Sequence, residues 1–313
     1  MDILYIIIGL VLLVLGGNWL LKGAVDLSLK LNISKIVVGL TVVSFATSAP
    51  ELIVSIKSAL DGYPDIAVGN VIGSNIGNIG LVLGAVLLIN PIIVKPSFYK
   101  MDLPFLYVAS FVLFSSLFFF ESIDRLQALF YILVLVLFIF SLIRFSKKNK
   151  TVIDLDIEPE SNANNYKIFG ILVLGGVALW GGSELLVKGA VSLATSFGVT
   201  ERIIAITVVS IGTSIPELAS SIIAAVKKES DISVGNIVGS NIFNVLSVLG
   251  ITSLIQPIEK IDSQLITQDI YWMLLFALIL IPLCFLPKKH QVSKPSGLLL
   301  LLTYFMFIYF TIS

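Results

Sequence analysis

The sequence predicts an all-α membrane protein in which ten transmembrane helices form two inverted five-helix repeats. Three observations carry this prediction. Of the 313 residues, 57% are hydrophobic and 13% are charged, where a soluble domain carries about 25% charged residues. Apolar runs of about 20 residues, the length that crosses a hydrocarbon core, recur along most of the chain. Residues 37–92 also match residues 203–258 at a constant offset of 166 without a gap, with 29 identities in 56 positions.

Inside a bilayer each backbone amide must be satisfied within its own segment, so the spans are helices. They are expected at 3–21, 35–59, 66–90, 102–120, 125–144, 168–187, 201–226, 231–256, 269–286 and 296–312. The run 3–15 has the character of a signal-peptide core. However, the flanking Lys22-Gly23-Ala24-Val25 recurs as Lys188-Gly189-Ala190-Val191, and a cleaved leader has no reason to be duplicated in mid-chain. The one long polar stretch is 146–166, where Lys147, Lys148 and Lys150 precede Asp154, Asp156, Glu158 and Glu160. It reads as a solvated, disordered linker. The chain thus divides into a first five-helix repeat (1–145), a linker (146–166) and a second five-helix repeat (167–313). Five is odd, so the second repeat enters the membrane from the opposite side, an architecture of secondary transporters with a site at the repeat interface.

Orientation follows from the basic residues. Fifteen of the 20 Lys and Arg fall on loops 1–2, 3–4, 5–6, 7–8 and 9–10 and their helix ends. The other side holds Lys57, Arg125, Lys188, Arg202 and Lys260. The positive-inside rule then places the linker in the cytoplasm and both termini outside a multi-pass cell-membrane protein.

The repeated segment carries polar groups at membrane depth. The second helix holds Ser44, Thr47, Ser48, Pro50, Glu51 and Ser55, and the seventh holds Ser210, Thr213, Ser214, Pro216, Glu217 and Ser221. The side chains from Ser44 to Ser55 are spaced to share one helical face. An ionised carboxylate at a helix centre costs about 2.5–3.5 kcal/mol, so two of them call for a compensating function. Pro50 and Pro216 have no N–H and clash with the carbonyls of Ala46 and Gly212, kinking or breaking each helix. Freed carbonyls, hydroxyls and one carboxylate per half make an all-oxygen cage, which suits calcium and sodium.

The third and eighth helices continue the pattern with Gly69-Asn70-Val71-Ile72-Gly73-Ser74-Asn75-Ile76-Gly77-Asn78 and Gly235-Asn236-Ile237-Val238-Gly239-Ser240-Asn241-Ile242-Phe243-Asn244. Ser74, Ser240, Asn78 and Asn244 read as ligands or their supports. Asn70, Asn75, Asn236 and Asn241 fit that role and simple interhelical bonding equally well. Glu184 is matched by Asn18 rather than by an acid, and its spacing to Lys188 suggests a structural ion pair.

At these blocks, Thr47-Ser48-Ala49-Pro50-Glu51 and Thr213-Ser214-Ile215-Pro216-Glu217 with the Gly-Ser-Asn-Ile-x-Asn segments after them, the chain resembles the calcium/cation antiporter superfamily. The likeness is to its prokaryotic sodium/calcium exchanger branch and covers the whole chain. The resemblance implies exchange of sodium for calcium by alternating access. Glu51 and Glu217 would hold calcium with oxygens of Thr47 and Thr213. Sodium would add the backbone of Ser44 and Ser210 and the side chains of Ser48, Ser214, Ser74 and Ser240. Asn78 and Asn244 would line the centre, and the first and sixth helices would slide as a gating pair. Many relatives carry an aspartate where Asn244 stands, and the potassium-dependent members resemble this chain less there.

A proton/calcium or other divalent-cation antiporter would use the same glutamates, and a passive channel is the reading from another class. An enzyme is disfavoured: the single His290 lies in a basic loop, no His-Glu-x-x-His occurs, and no catalytic residue or cofactor site is evident. Cys284 stands alone, so there is no internal disulfide. The expected partners are the two ions and the lipid bilayer, with no nucleic acid and no obligatory protein partner.

Overall fold

The computed structural model describes residues 2–31, 33–148, 164–196, 212–259, 261–286 and 289–312. Most of the expected linker, the first half of the expected seventh helix, Ser210, Arg202 and Lys260 lie outside the described residues. Among the described residues, eight helices are long and apolar enough to cross a membrane. They are α1 (Asp2–Leu31), α3 (Pro64–Ile89), α4 (Phe98–Phe120), α5 (Arg125–Ser146), α6 (Asn165–Leu193), α8 (Ser230–Ile255), α9 (Leu265–Phe285) and α10 (Lys294–Thr311). A further candidate, α2, is a bent pair, Lys35–Thr47 and Ala49–Leu60, turned by 45°. α7 (Ile215–Val226) is a shorter apolar helix.

Three expectations are corrected. The first helix runs to Leu31 rather than 21, and α6 continues to Leu193 rather than 187. The apolar runs read from the sequence end at Lys22 and Lys188, whereas helical hydrogen bonding continues until something breaks it. At 1.5 Å per residue a helix of this length exceeds a bilayer core of about 30 Å, so it tilts or projects. Next, the break that Pro50 predicts in α2 falls at Ser48 rather than at the Ala46 carbonyl. Ser48 leaves helical geometry (φ −86°, ψ 5°), and the chain restarts at Ala49 with Pro50 in the first turn. Ser214 repeats this before Pro216 (φ −88°, ψ 3°). A proline in the first turn costs nothing, since its missing N–H would be unpaired there. Finally, no ion pair joins Glu184 to Lys188 among the described residues. Lys188 lies over the Tyr5 ring instead, its Nζ 5.1 Å from the centroid.

α3 and α8 form the centre, with 72% and 89% of their apolar windows buried against 28–39% for the other spans. Those outer helices turn large side chains such as Phe119, Leu126, Phe169 and Leu302 outward, as lipid-facing surfaces require. The core has two clusters. One gathers α3, α4, α5, α8, α9 and α10. The other joins α1 and α6 to Val38, Val43, Ala224 and Ile232.

The α1–α6 contact is backbone on backbone. A Cβ built on Gly175 would lie 2.6 Å from the Leu20 amide nitrogen, and one on Gly16 would lie 2.7 Å from that of Leu179. Gly9 meets Leu186 and Gly182 in the same way, and Gly182 meets Leu13 and Gly9. The pairs Gly9–Gly182 and Gly16–Gly175 exchange under the offset of 166, and their order makes the two helices antiparallel.

The loops fall into two groups. Lys35 pairs with Glu229 at 3.1 Å and Lys95 with Asp231 at 2.6 Å. Strand β1 (Ile92–Ile93) pairs antiparallel with β2 (Gln291–Val292). These contacts join loops 1–2, 3–4, 7–8 and 9–10. The Asp262 amide donates to Asp65 Oδ1 at 2.7 Å, and Ile123 bridges to Ile258, which joins loops 2–3, 4–5 and 8–9.

Candidate cation-binding site

The breaks in α2 and before α7 carry Glu51 and Glu217 into the middle of the molecule. Both are fully buried, and each stands in the first turn of the helix that restarts after its break. Helix N-termini favour anionic groups there. Among the described residues neither Glu51 oxygen accepts a hydrogen bond, although the Ser74 hydroxyl stands beside the carboxyl. Glu217 Oε1 accepts one from Ser48 Oγ at 3.2 Å, and its Oε2 has none. The two carboxyls are close enough to interact electrostatically. No lysine or arginine forms a salt bridge to either glutamate among the described residues.

Hydroxyls and amides close the cage from the neighbouring helices. Thr47 Oγ1 stands 3.1 Å from Asn236 Oδ1 and 3.3 Å from Ser240 Oγ, which ties α2 to α8. Asn236 Nδ2 donates to Ser220 and Ser221 Oγ at 2.9 Å each, extending that tie to α7. Ser44 Oγ donates to the Gly39 carbonyl at 2.8 Å and to that of Asn236 at 3.0 Å. A side chain at Gly239 would collide with Ser44 Oγ and Leu40, so glycine there sets the close approach of α8 to α2. Ser214 Oγ borders Gly77, 3.5 Å from where a Cβ would stand.

Asn78 and Asn244 are buried, and each begins a π-helical stretch, Asn78–Leu83 and Asn244–Leu249. Such bulges shift the register of a helix and concentrate at functional sites. Among the described residues, both Asn78 side-chain polar atoms and Asn244 Oδ1 have no partner. Buried polar atoms are nearly always paired, so the unpaired oxygens on Glu51, Glu217, Asn78 and Asn244 mark these residues as candidates for holding a ligand.

Of the residues singled out in the sequence, Ser44, Thr47, Ser48, Glu51, Ser74, Asn78, Ser214, Glu217, Ser240 and Asn244 are all buried. Contacts link Ser44, Thr47 and Ser240 across α2 and α8, Ser48 to Glu217, and Ser74 to Glu51. Thr213 is half-buried in the turn before α7, and Ser210 lies outside the described residues. Sequence reasoning left Asn236 and Asn75 undecided, and the structure makes both of them interhelical links. The π-helical stretches had no sequence signal.

A sequence profile of the sodium/calcium exchanger protein family matches residues 1–144 and 167–313. The chain belongs to the sodium/calcium exchanger family. It is accordingly a cation antiporter and not an enzyme. A candidate antiporter, CaxA, of Alkalimonas amylolytica is 36% identical over 99% of this chain and 98% of its own length. The sodium/calcium exchanger MaX1 of Methanosarcina acetivorans is 28% identical over 98% of this chain and 97% of its own. Among solved structures, the sodium-calcium exchanger NCX_Mj soaked with Na+ and Ca2+ superposes with a TM-score of 0.81 at 27% identity. That match covers 98% of this chain and 97% of the other.

Proposed function

We propose that this exchanger moves calcium against sodium by alternating access at one central site. Its ligands are Glu51 and Glu217 with Thr47, Thr213, Ser44, Ser210, Ser48, Ser214, Ser74, Ser240, Asn78 and Asn244. The observation that carries this is the pair of fully buried glutamates, three of whose four carboxyl oxygens have no hydrogen-bond partner among the described residues. Two ionised carboxylates in a low-dielectric interior are costly unless cations offset them. One calcium neutralises both, and a calcium ion takes about 6–8 oxygens, within what the cage supplies. The names of MaX1 and NCX_Mj support sodium and calcium as the ions.

The architecture we infer is ten spans in two inverted repeats, 1–145 and 167–313, joined by a cytoplasmic linker at 146–166, with both termini outside. Antiparallel α1 and α6, with glycine contacts that exchange under the repeat offset, support the inversion. The two loop groups match the two sides that ten spans would give. The separate apolar cluster around α1 and α6 supports a gating pair that slides over the ligand-bearing helices. No cofactor and no obligatory protein partner enters this scheme.

The test is uptake into sodium-loaded liposomes diluted into sodium-free buffer at clamped pH. Calcium accumulation against its gradient that requires internal sodium is the expected result. Uptake that ignores sodium and follows an imposed pH gradient would move the function to proton/calcium antiport at the same carboxylates. Flux that never runs uphill would indicate a channel.

A further inference from the structure

The two central asparagines are repeat mates, but they are not held alike. Asn244 Nδ2 donates to Asn75 Oδ1 at 3.1 Å across the α3–α8 contact. Asn75 cannot turn over to release it, because its own Nδ2 donates to the Asn241 carbonyl at 3.2 Å and lies 3.7 Å from Met273 Sδ. A backbone carbonyl only accepts, so the Asn75 amide nitrogen must face Asn241 and its oxygen must face Asn244. The Asn244 nitrogen is thereby turned to Asn75, which leaves Asn244 Oδ1 as a buried acceptor with no partner among the described residues. Asn78 has no such tie. Asn241, the mate of Asn75, donates to Ile237 in its own helix at 2.7 Å, and both Asn78 polar atoms are unpaired.

We infer that Asn75 is a positioning residue for ion binding: it locks the Asn244 amide with its carbonyl oxygen free for the cation. This rests on the central site proposed above. A cation gains from the carbonyl end of an amide and is repelled by the NH2 end, so the side chain at 244 serves as a ligand only in this orientation. The chain Asn241 carbonyl, Asn75, Asn244 also explains why an amide suits position 244. A carboxylate there would set an acceptor against the Asn75 oxygen. Asn78, by contrast, has no hydrogen bond among the described residues that fixes its amide.

The test is a double-mutant cycle on the full-length protein, reading calcium and sodium dissociation constants by titration calorimetry in detergent. The KM and maximal rate of exchange in liposomes are read alongside. Asn75→Ala is expected to weaken calcium binding roughly fivefold, the scale of one neutral hydrogen bond, raising KM while largely preserving the maximal rate. Asn244→Ala weakens binding as well. In that background Asn75→Ala should have no further effect, because it acts only through Asn244. If Asn75→Ala does not fold, Asn75→Ser, which keeps an acceptor in a smaller side chain, should weaken calcium binding about twofold, and should have no effect in the Asn244→Ala background. Wild-type affinity in Asn75→Ala or Asn75→Ser, or additive losses in the double mutant, would overturn the inference. A wild-type protein that binds no calcium would instead overturn the proposed central site.

Discussion

A carboxylate buried at membrane depth with no cationic side chain paired to it is held in place for something that comes and goes. Glu51 and Glu217 meet that description, while Glu184, exposed on α6, does not. Glu51→Gln or Glu217→Gln should abolish calcium binding, read by calorimetry or by calcium-45 uptake, because one neutral amide removes half the charge that balances a divalent ion. Glu184→Gln should leave exchange close to native. Near-normal calcium flux in either of the first two variants would remove those glutamates from the site. At this scale the sequence was legible where a residue had a repeat mate of its own kind, as for Glu51 with Glu217, Ser74 with Ser240 and Asn78 with Asn244. It was not legible where mates behave differently. Asn75 reaches across to Asn244 while Asn241 turns back on its own helix, and no inspection of two identical segments separates them.

At the scale of elements, glycine decides which helices touch. The spacing of seven that sets Gly9, Gly16 and Gly23 on α1, and Gly175, Gly182 and Gly189 on α6, puts each trio on nearly one face. Small residues of this kind let membrane helices pack closely. Gly175→Ala places its Cβ against Leu20 and Gly16 backbone, which cannot rotate away. The helices must separate, and a loss of about 1–3 kcal/mol is expected, seen as a lower thermal midpoint in detergent and slower exchange. Gly170→Ala, where the new Cβ meets no described atom within 4 Å, should be neutral or stabilise by up to about 1 kcal/mol through the unfolded chain. An equal rise in both variants would mean that helix propensity, not contact, governs these positions. The π-helical turns extend the correspondence of the halves beyond its ungapped limit. Phe98–Asp102 opens α4 and Leu265–Asp269 opens α9, now at an offset of 167, so one residue has been gained between 258 and 265.

For the whole molecule the consequence of two central carboxylates is electrical. One calcium balances them, whereas more than two sodium ions overcharge them, so exchange at that ratio carries net positive charge with sodium. Each net charge couples to the membrane potential by about 2.3 kcal/mol per 100 mV. In sodium-loaded liposomes an inside-positive potential set with potassium and valinomycin should therefore speed calcium uptake, and an inside-negative one should slow it. Uptake indifferent to voltage would mean two sodium ions per calcium.

What the sequence determined by itself is the membrane class, the approximate place of most spans and nearly all of the candidate ligands. Hydropathy over about 20 residues and the in-register recurrence of Pro, Glu, Ser and Asn at an offset of 166 are properties of the chain alone. Tertiary structure decided the rest. It placed the break of α2 at Ser48 and carried α1 and α6 past the apolar runs read from the sequence. It packed those two helices through glycine, and it tied Asn244 but not Asn78. Each of these depends on which backbone or side chain lies opposite, at distances of a few ångströms, and segments distant in sequence acquire such neighbours only when the chain folds.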